Sequence, residues 1–280
     1  MTTEATNGRG AAGESPAAGA AGEAPAANVE TILADLEAGL VRAASPDPAA
    51  PGGWRVNPDV KAAILGRFAD KSMLEWSVGP FTFRDRAGVP PRDLAGGPWR
   101  VVPGGTTVRS GTYLAPGVVI MPPSYINVGA WVGANTMVDS AVLVGSCAQI
   151  GENVHLSAGV VIGGVLEPTN AMPVIVEDEA FVGAGCSLLD GVRVSRRAVI
   201  AAGVTLTGTS RLYDLVRGRV LTGTQESPLV VPPGAVVVPG TRRITGLFAE
   251  EHGLALDAAI IVKDRDDGTT ARVALESALR

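Results

Sequence analysis

The chain has 280 residues, of which 46% are hydrophobic, 18% are charged and only 4% are aromatic, and 36 are glycine. The net charge of −5 argues against a nucleic-acid-binding protein, which would normally show a basic face, and no apolar run approaches the roughly 18 residues of a membrane span. The two cysteines cannot build a disulfide framework, and no basic segment precedes an apolar one near residue 1, so we expect a cytoplasmic protein without a secretory signal.

The first hundred residues divide into two predicted regions. Residues 1–28 are mostly Ala, Gly, Glu and Pro without apolar periodicity, which predicts a disordered tail. Residues 29–98 predict a small N-terminal helical subdomain, because helical spacing recurs within 29–40 and 58–68. The apolar positions of these two helices are Ile32, Leu33, Leu36 and Leu40, then Val60, Ile64, Leu65 and Phe68.

From Val108 onward the chain follows a period of six residues. Every sixth residue is aliphatic, at Val108, Leu114, Ile120, Ile126, Val132, Val138, Val144, Ile150, Leu156 and Ile162. The fourth residue after each, up to Leu156, is small or β-branched, at Thr112, Val118, Ser124, Ala130, Thr136, Val142, Ala148, Val154 and Val160. The register slips between Gly163 and Ile175 and then resumes, with a last weak pair at Val231 and Val237. The resumed positions are Val176, Val182, Leu188, Val194, Ile200, Leu206 and Leu212, with Ala180, Cys186, Val192, Ala198, Val204 and Ser210.

This period predicts a parallel β-helix over 99–240, in which three hexads close one triangular coil. The segment 241–280 is expected to add a C-terminal strand and helix. The slip at 163–175 predicts a loop ejected from one coil, where binding residues tend to sit. The glycines that follow aliphatic positions are expected to adopt positive φ. These are Gly133, Gly145, Gly151 and Gly183.

Several segments resemble the tetrahydrodipicolinate N-succinyltransferase family. They are Trp99–Pro103, Val128–Ala130 with Thr136–Asp139, Val144–Gly151, Asn153–Ser157 and Gly163–Pro168. The resemblance implies a left-handed β-helix, a homotrimer with active sites between neighbouring β-helices, and no resident cofactor. It further implies transfer of succinyl from succinyl-CoA to a cyclic imine dicarboxylate on the lysine and diaminopimelate pathway.

Two residues match substrate-binding positions of that family. Asp139 follows the inward Val138, so its side chain should leave the coil, and the resemblance makes it a catalytic and substrate-binding carboxylate. A solvated turn aspartate is the alternative. Arg100 matches the family's substrate-binding arginine, and its guanidinium suits a carboxylate through a bidentate contact. A plain surface arginine is the alternative.

One segment departs from the family. Between Phe181 and Gly191 the flanking residues fix the register, and the family's glutamate and arginine positions hold Ser187 and Gly185. Serine cannot act as a carboxylate base, and glycine supplies no cation. The departure favours a relative adapted to another amine or another acyl-CoA.

The remaining candidates carry weaker signals. His155 is either a general base, as in many hexapeptide acyltransferases, or a lining residue, and Glu167 is either an active-site wall or a loop-shaping residue. Gly203, Gly208 and Lys263 are candidates for contacts with acyl-CoA, whereas both cysteines are expected to be packing residues.

Three functions therefore compete. The first is the family succinyltransferase, the second a related N-acyltransferase of specialised metabolism, and the third a non-catalytic trimeric binding protein. No metal site is expected, since hexapeptide carbonic anhydrases need three histidines for each zinc and the chain has two. Neither nucleic acid nor a membrane is an expected partner.

Overall fold

The computed structural model describes residues 27–270, so the predicted tail lies outside the described residues except at Ala27 and Asn28. The helices are α1 (Ile32–Glu37), α2 (Pro58–Ala69) and α3 (Leu247–Glu251), and a 3-10 turn covers Pro51–Gly53. The strands are β1 (Ala44–Pro46), β2 (Trp54–Val56), β3 (Met73–Val78), β4 (Phe81–Arg86), β5 (Arg100–Val101), β6 (Thr107–Val108), β7 (Tyr113–Leu114), β8 (Val119–Ile120), β9 (Tyr125–Ile126), β10 (Trp131–Val132), β11 (Met137–Val138), β12 (Leu143–Val144), β13 (Gln149–Ile150), β14 (His155–Leu156), β15 (Val161–Ile162), β16 (Ile175–Val176), β17 (Phe181–Val182), β18 (Ser187–Leu188), β19 (Arg193–Val194), β20 (Val199–Ile200), β21 (Thr205–Leu206), β22 (Arg211–Asp214), β23 (Arg219–Thr222), β24 (Val230–Val231), β25 (Ala235–Arg243) and β26 (Ala255–Asp264).

Three parallel sheets form the sides of the β-helix. Sheet I runs from β5 through β8, β11, β14, β17 and β20 to β25, sheet II from β6 to β21, and sheet III from β7 to β24. One coil takes 18 residues, because Trp131 pairs with Gln149 and Met137 with His155. The predicted hexapeptide β-helix is therefore confirmed.

The core consists of the two predicted rows. All ten aliphatic positions from Val108 to Ile162 are at most 3% exposed, and the small positions from Thr112 to Val160 are also buried. Polar members of the second row bond to the backbone. The Thr136 hydroxyl donates to the Gly151 carbonyl at 2.8 Å and accepts the Val154 N–H at 3.0 Å. Threonine is thus tolerated in an otherwise apolar interior, since its hydroxyl is fully paired.

The prediction of positive φ at Gly133, Gly145, Gly151 and Gly183 is wrong. Positive φ falls two residues later in the hexad, for example at Asn135 (56°) and Cys147 (65°). These glycines are required for a different reason, which is close contact between coils. A Cβ on Gly145 would lie 2.2 Å from the Gly164 nitrogen, and one on Gly133 would lie 2.5 Å from the Gly151 carbonyl carbon.

Two insertions leave the β-helix without changing its register. Gln149 pairs with Ile175, so this coil carries eight extra residues, and the predicted ejected loop at 163–175 is present. Arg193 pairs with Val230, and the longer insertion between them contains the antiparallel pair β22–β23. In sheet I, β25 pairs in parallel with β20, and β26, β22 and β23 continue the sheet beyond it.

The region 29–98 contains more than the predicted helices. The helix predicted at 58–68 is confirmed as α2, and α1 occupies part of the helix predicted at 29–40. The structure adds two antiparallel pairs, β1–β2 and β3–β4. The residues of β3 and β4 are mostly exposed, so neither strand shows the alternating burial that would reveal it in the sequence.

The N-terminal region covers the outer face of sheet III. The Arg42 guanidinium lies 3.9 Å from the centre of the Trp131 ring and donates to Gln149 Oε1 at 3.0 Å. Burial lowers the pKa of Arg42 to about 10. Trp54 Nε1 donates to Glu177 Oε1 at 3.0 Å. Sheets I and II, by contrast, keep the candidate catalytic residues on their outer side.

Candidate functional site

Asp139 lies at the corner between sheets I and II, directly after β11. Its backbone N–H donates to the Leu156 carbonyl, which fixes the corner in the coil hydrogen-bond ladder. The side chain leaves the core, as predicted, and is half-buried. Oδ1 accepts the Ser140 N–H at 2.6 Å. The second oxygen can accept a proton or bind a cationic group.

Arg100 begins the first strand of sheet I and is exposed. It pairs with Val119, which pairs with Met137, so Arg100 lies two coils below β11, the strand that Asp139 follows. At about 4.8 Å between neighbouring strands, this separation is roughly 10 Å. A dicarboxylate substrate could span part of that distance, with one carboxylate on the guanidinium.

His155 lies one coil above Met137 and is only 5% exposed. Its ring centroid lies 5.1 Å from that of Phe181 in the next coil. Such burial favours a packing role for the imidazole. The base role for His155 stays a prediction.

Ser187 and Gly185 lie higher on the β-helix than Asp139. Ser187 is half-buried in sheet II. It pairs with Val161, which pairs with Leu143 in the coil of Asp139. Ser187 therefore lies two coils above Asp139 and on the neighbouring side of the β-helix. Gly185 has a φ of 67° and open space where a Cβ would stand. One protomer therefore does not bring Asp139 and Ser187 together.

The corner above Asp139 is built from small residues. In successive coils the positive-φ position holds Ala141, Gly159, Gly185 and Gly203, and each glycine N–H donates to the coil below. The glycines remove side chains from this corner. The result is a shallow strip that runs from the Asp139 coil to the C-terminal end.

A cleft of about 470 Å³ lies at the upper end of this strip, and Gly203 is one of its lining residues. Arg211 and Tyr213 of β22 line one side, and Arg242 of β25 lines another. The sequence analysis missed both arginines, because they lie in separate elements that only the fold brings together.

Three other candidates lie outside this cleft. Gly208 has a packing role, since a Cβ there would be 2.3 Å from the Asp190 carbonyl oxygen. The exposed Lys263 pairs with Asp266 at 2.6 Å. Glu167 is exposed on the ejected loop. This loop is held by α2, whose fully buried Lys61 donates to the Ala171 carbonyl at 2.7 Å.

Both thiols are buried, as predicted. Burial raises the pKa of Cys147 to about 12, and burial also raises the pKa of Cys186, whose Sγ donates to the Ala201 carbonyl. A protonated, buried thiol is a poor nucleophile. Neither cysteine is therefore a candidate nucleophile.

The chain is similar to proteins of known families along most of its length. Residues 173–208 match the family model described as the hexapeptide repeat of succinyl-transferase. A 2,3,4,5-tetrahydropyridine-2,6-dicarboxylate N-succinyltransferase of Polynucleobacter asymbioticus is 41% identical over 260 residues, covering 90% of this chain and 88% of that protein. The protein of the same description from Dechloromonas aromatica is 39% identical over 257 residues, covering 90% of this chain and 89% of that protein.

A solved structure shares the fold. It is described as a 2,3,4,5-tetrahydropyridine-2-carboxylate N-succinyltransferase of Campylobacter jejuni. It superposes with a TM-score of 0.53 at 21% identity, covering 82% of this chain and 62% of that chain. The left-handed parallel β-helix is thereby confirmed.

Proposed function

The chain belongs to the 2,3,4,5-tetrahydropyridine-2,6-dicarboxylate N-succinyltransferase family, and we propose that it transfers an acyl group from acyl-CoA to the nitrogen of a small dicarboxylate. The simplest acyl donor is succinyl-CoA, and the simplest acceptor is the tetrahydropyridine dicarboxylate of the relatives. The observation that carries this proposal is the match at about 40% identity over 90% of the chain. Family membership argues against a non-catalytic binding protein.

Acyl-CoA would lie along the corner between sheets I and II. The small residues above Asp139 leave room for the narrow pantetheine arm, and the cleft at Gly203 follows at the upper end. Arg211 and Arg242 suit the phosphates of CoA, because guanidinium binds phosphate oxygens through two parallel hydrogen bonds. The thioester would then point down toward Asp139.

The chemistry needs a base, an oriented thioester and an anchored acceptor. The ring nitrogen of the tetrahydropyridine is an imine without a proton, so water would first add across its C=N bond and leave an N–H. Asp139 would then accept that proton as the nitrogen attacks the thioester carbonyl carbon, and would pass it to the departing sulfur. The C–S bond then breaks and CoA leaves as the thiol. Arg100 would hold a carboxylate of the acceptor.

A second function is favoured by Ser187 and Gly185. Ser187 holds a hydroxyl between Val161 and Thr205, and Gly185 leaves open space. A pocket without the family's carboxylate and guanidinium would suit a different amine or acyl chain. Specialised metabolism is then the alternative to the lysine and diaminopimelate pathway.

The assembly belongs to the same proposal. Asp139 and Ser187 lie two coils apart and on neighbouring sides of one protomer, which favours a site completed by a second protomer. Apolar side chains stand exposed on sheet II, at Leu143, and on the β3–β4 hairpin, at Phe81. We place the active sites of a homotrimer between neighbouring β-helices. In the described part of the chain no helix has the length and apolar character of a membrane span, and the cytoplasmic location stays a prediction.

Release of CoA thiol tests the transfer directly. Purified protein is given succinyl-CoA or acetyl-CoA together with the tetrahydropyridine dicarboxylate or a panel of amino dicarboxylates. We expect thiol release only when an acceptor is present, with succinyl-CoA and the cyclic acceptor as the best pair. Absence of release with every pair would contradict the proposed transferase.

The double variant Ser187→Glu with Gly185→Arg separates the two functions. If the family reaction is retained without its usual base, the restored carboxylate should raise turnover on the cyclic acceptor, since a positioned acid–base group contributes about 10²-fold or more. Ser187→Gln with Gly185→Arg is the matched control, because it keeps the size and removes the charge. If the pocket serves another acceptor, both variants should lower turnover on that acceptor.

A further inference from the structure

A second cleft lies on the outer face of sheet III, where the N-terminal region and the insertion before β24 meet. Its volume is about 180 Å³. Drug-sized ligands occupy roughly 300–1,000 Å³, so this cleft fits a smaller molecule. Neither the sequence analysis nor the proposed transfer reaction uses it.

Arg193 supplies the positive charge of this cleft. It stands in β19 between Ile175 and Val230, two apolar neighbours in the outer row of sheet III. Its Nε is buried and has no hydrogen-bond partner among residues 27–270. Glu177 Oε1 lies 3.8 Å away, which is an ion pair but too long for a hydrogen bond.

Glu177 is already committed to other donors. Its Oε1 accepts the Trp54 indole N–H at 3.0 Å, and its Oε2 accepts the Arg196 backbone N–H at 2.9 Å. The Arg193 Nε–H therefore stays without an acceptor in a buried setting, while the two terminal nitrogens of the guanidinium face Gly52 at the cleft. Buried donors of this kind are normally satisfied, and a ligand carboxylate is a suitable acceptor.

The walls of the cleft are apolar and its rim is acidic. Trp54, Met172 and Pro228 line it together with Ile175 and Val230. Glu226 also lines it and is exposed, so it stands at the solvent side.

Gly52 keeps the space in front of the guanidinium clear. A Cβ there would lie 3.3 Å from the nearer terminal nitrogen of Arg193, and its φ of 76° disfavours any side chain. The guanidinium thus remains reachable from the cleft.

We propose that this cleft binds a free α-amino acid with an apolar side chain. The ligand carboxylate pairs with Arg193, its ammonium group with Glu226, and its side chain packs on Trp54 and the aliphatic wall. A simple anion would meet repulsion from Glu226, and a simple amine would meet repulsion from Arg193. A zwitterion satisfies both charges.

Isothermal titration calorimetry on the full chain tests this site without any turnover, so the result does not depend on the proposed transferase activity. The probes are L-leucine and L-valine, together with 4-methylpentanoate and 3-methylbutylamine, which each lack one of the charges of leucine. We expect the amino acids to bind and the two single-charge analogues to bind at least about tenfold more weakly, since each analogue loses one hydrogen-bonded contact to a charged group.

Arg193→Met should weaken amino-acid binding by about tenfold or more, and Glu226→Gln should weaken it by a smaller factor. Arg55→Met is the matched control, because Arg55 neighbours Trp54 in β2 but is exposed and outside the cleft. If Arg193→Met does not fold, Arg193→Lys and the exposed Glu226→Gln take its place. Binding that is unchanged in Arg193→Met and Glu226→Gln would overturn the proposal, as would equal binding of 4-methylpentanoate or no binding by either amino acid.

Discussion

The Asp139 carboxylate stands on a corner whose backbone is fixed by the coil ladder, while its side chain carries no core packing. The Asp139 side chain can therefore be changed without disturbing the packing of the core. Oδ1 is held by the Ser140 N–H, so the carboxylate has a defined orientation. A positioned base with a free oxygen is what proton removal from an acceptor nitrogen requires.

Asp139→Asn should reduce turnover by about 10²-fold or more, because the amide cannot accept the proton. Its shape is unchanged, so the Ser140 contact and the thermal unfolding midpoint should be retained. Steady-state thiol release and thermal unfolding are measured together, with Asp190→Asn, an exposed corner aspartate, as the control. Turnover that survives the change would make Asp139 a solvated turn residue.

Residue positions differed in how well the sequence could predict them. The inward positions follow from a strict period, because each is decided by its neighbours one coil away. The roles of Gly133 and Gly145 could not be derived in this way, since the nearest atoms come from the next coil. The charges of the two clefts, such as Arg193 and Arg242, belong to segments that are distant along the chain.

Neighbouring coils of the β-helix lie so close together that their backbones leave no room for a Cβ at certain glycines, such as Gly145. Gly145→Ala should lower the free energy of unfolding by about 1–3 kcal/mol, the usual cost of overpacking. Gly268→Ala is the control, since a Cβ there would meet its nearest atom at 3.5 Å. Urea unfolding measures both variants, and equal stability would contradict the argued contact with Gly164.

Helix α2 holds the ejected loop through Lys61, and this contact predicts a pH dependence. Burial lowers the pKa of Lys61 below its ordinary value in the folded state. At pH values between the folded and unfolded pKa of Lys61, its amine binds more protons in the unfolded chain than in the folded one. The contribution of Lys61 to the free energy of unfolding therefore rises with pH.

Wild type should therefore gain stability relative to Lys61→Met as the pH rises toward the ordinary lysine pKa of about 10.4. The difference in unfolding free energy between the two proteins isolates this residue. Lys71→Met, at an exposed position, serves as the control. A difference that stays constant or falls as pH rises would show that Lys61 does not titrate in this way.

Elements outside the repeat were harder to predict than the coils. The β3–β4 hairpin was missed because Met73, Val78, Phe81 and Phe83 are all exposed, so its strands lack alternating burial in this chain. We expect another protomer to cover its apolar surface. The 163–175 loop was found because it interrupts a regular pattern.

At the scale of the whole molecule, the exposed apolar residues and the divided site predict a trimer. Light scattering at micromolar concentration should give about three times the chain mass of 28.5 kDa. Dilution that dissociates the assembly should abolish thiol release in parallel, because the site would be split between protomers. A monomer with full turnover would exclude sites shared between chains.

The C-terminal ribbon, which we define as the antiparallel strands β25 and β26, closes the end of sheet I. A parallel stack of coils has no intrinsic stopping point, since every coil presents unpaired peptide groups to the next. In sheet I, β25 is followed by β26 in the antiparallel direction, and β22 and β23 lie beyond it. The antiparallel strand occupies the edge of the sheet on which a further parallel coil would otherwise pair. Without this ribbon, the unpaired peptide groups of the last coil would be open to pairing with another molecule, and the repeat would favour end-to-end assembly into fibres.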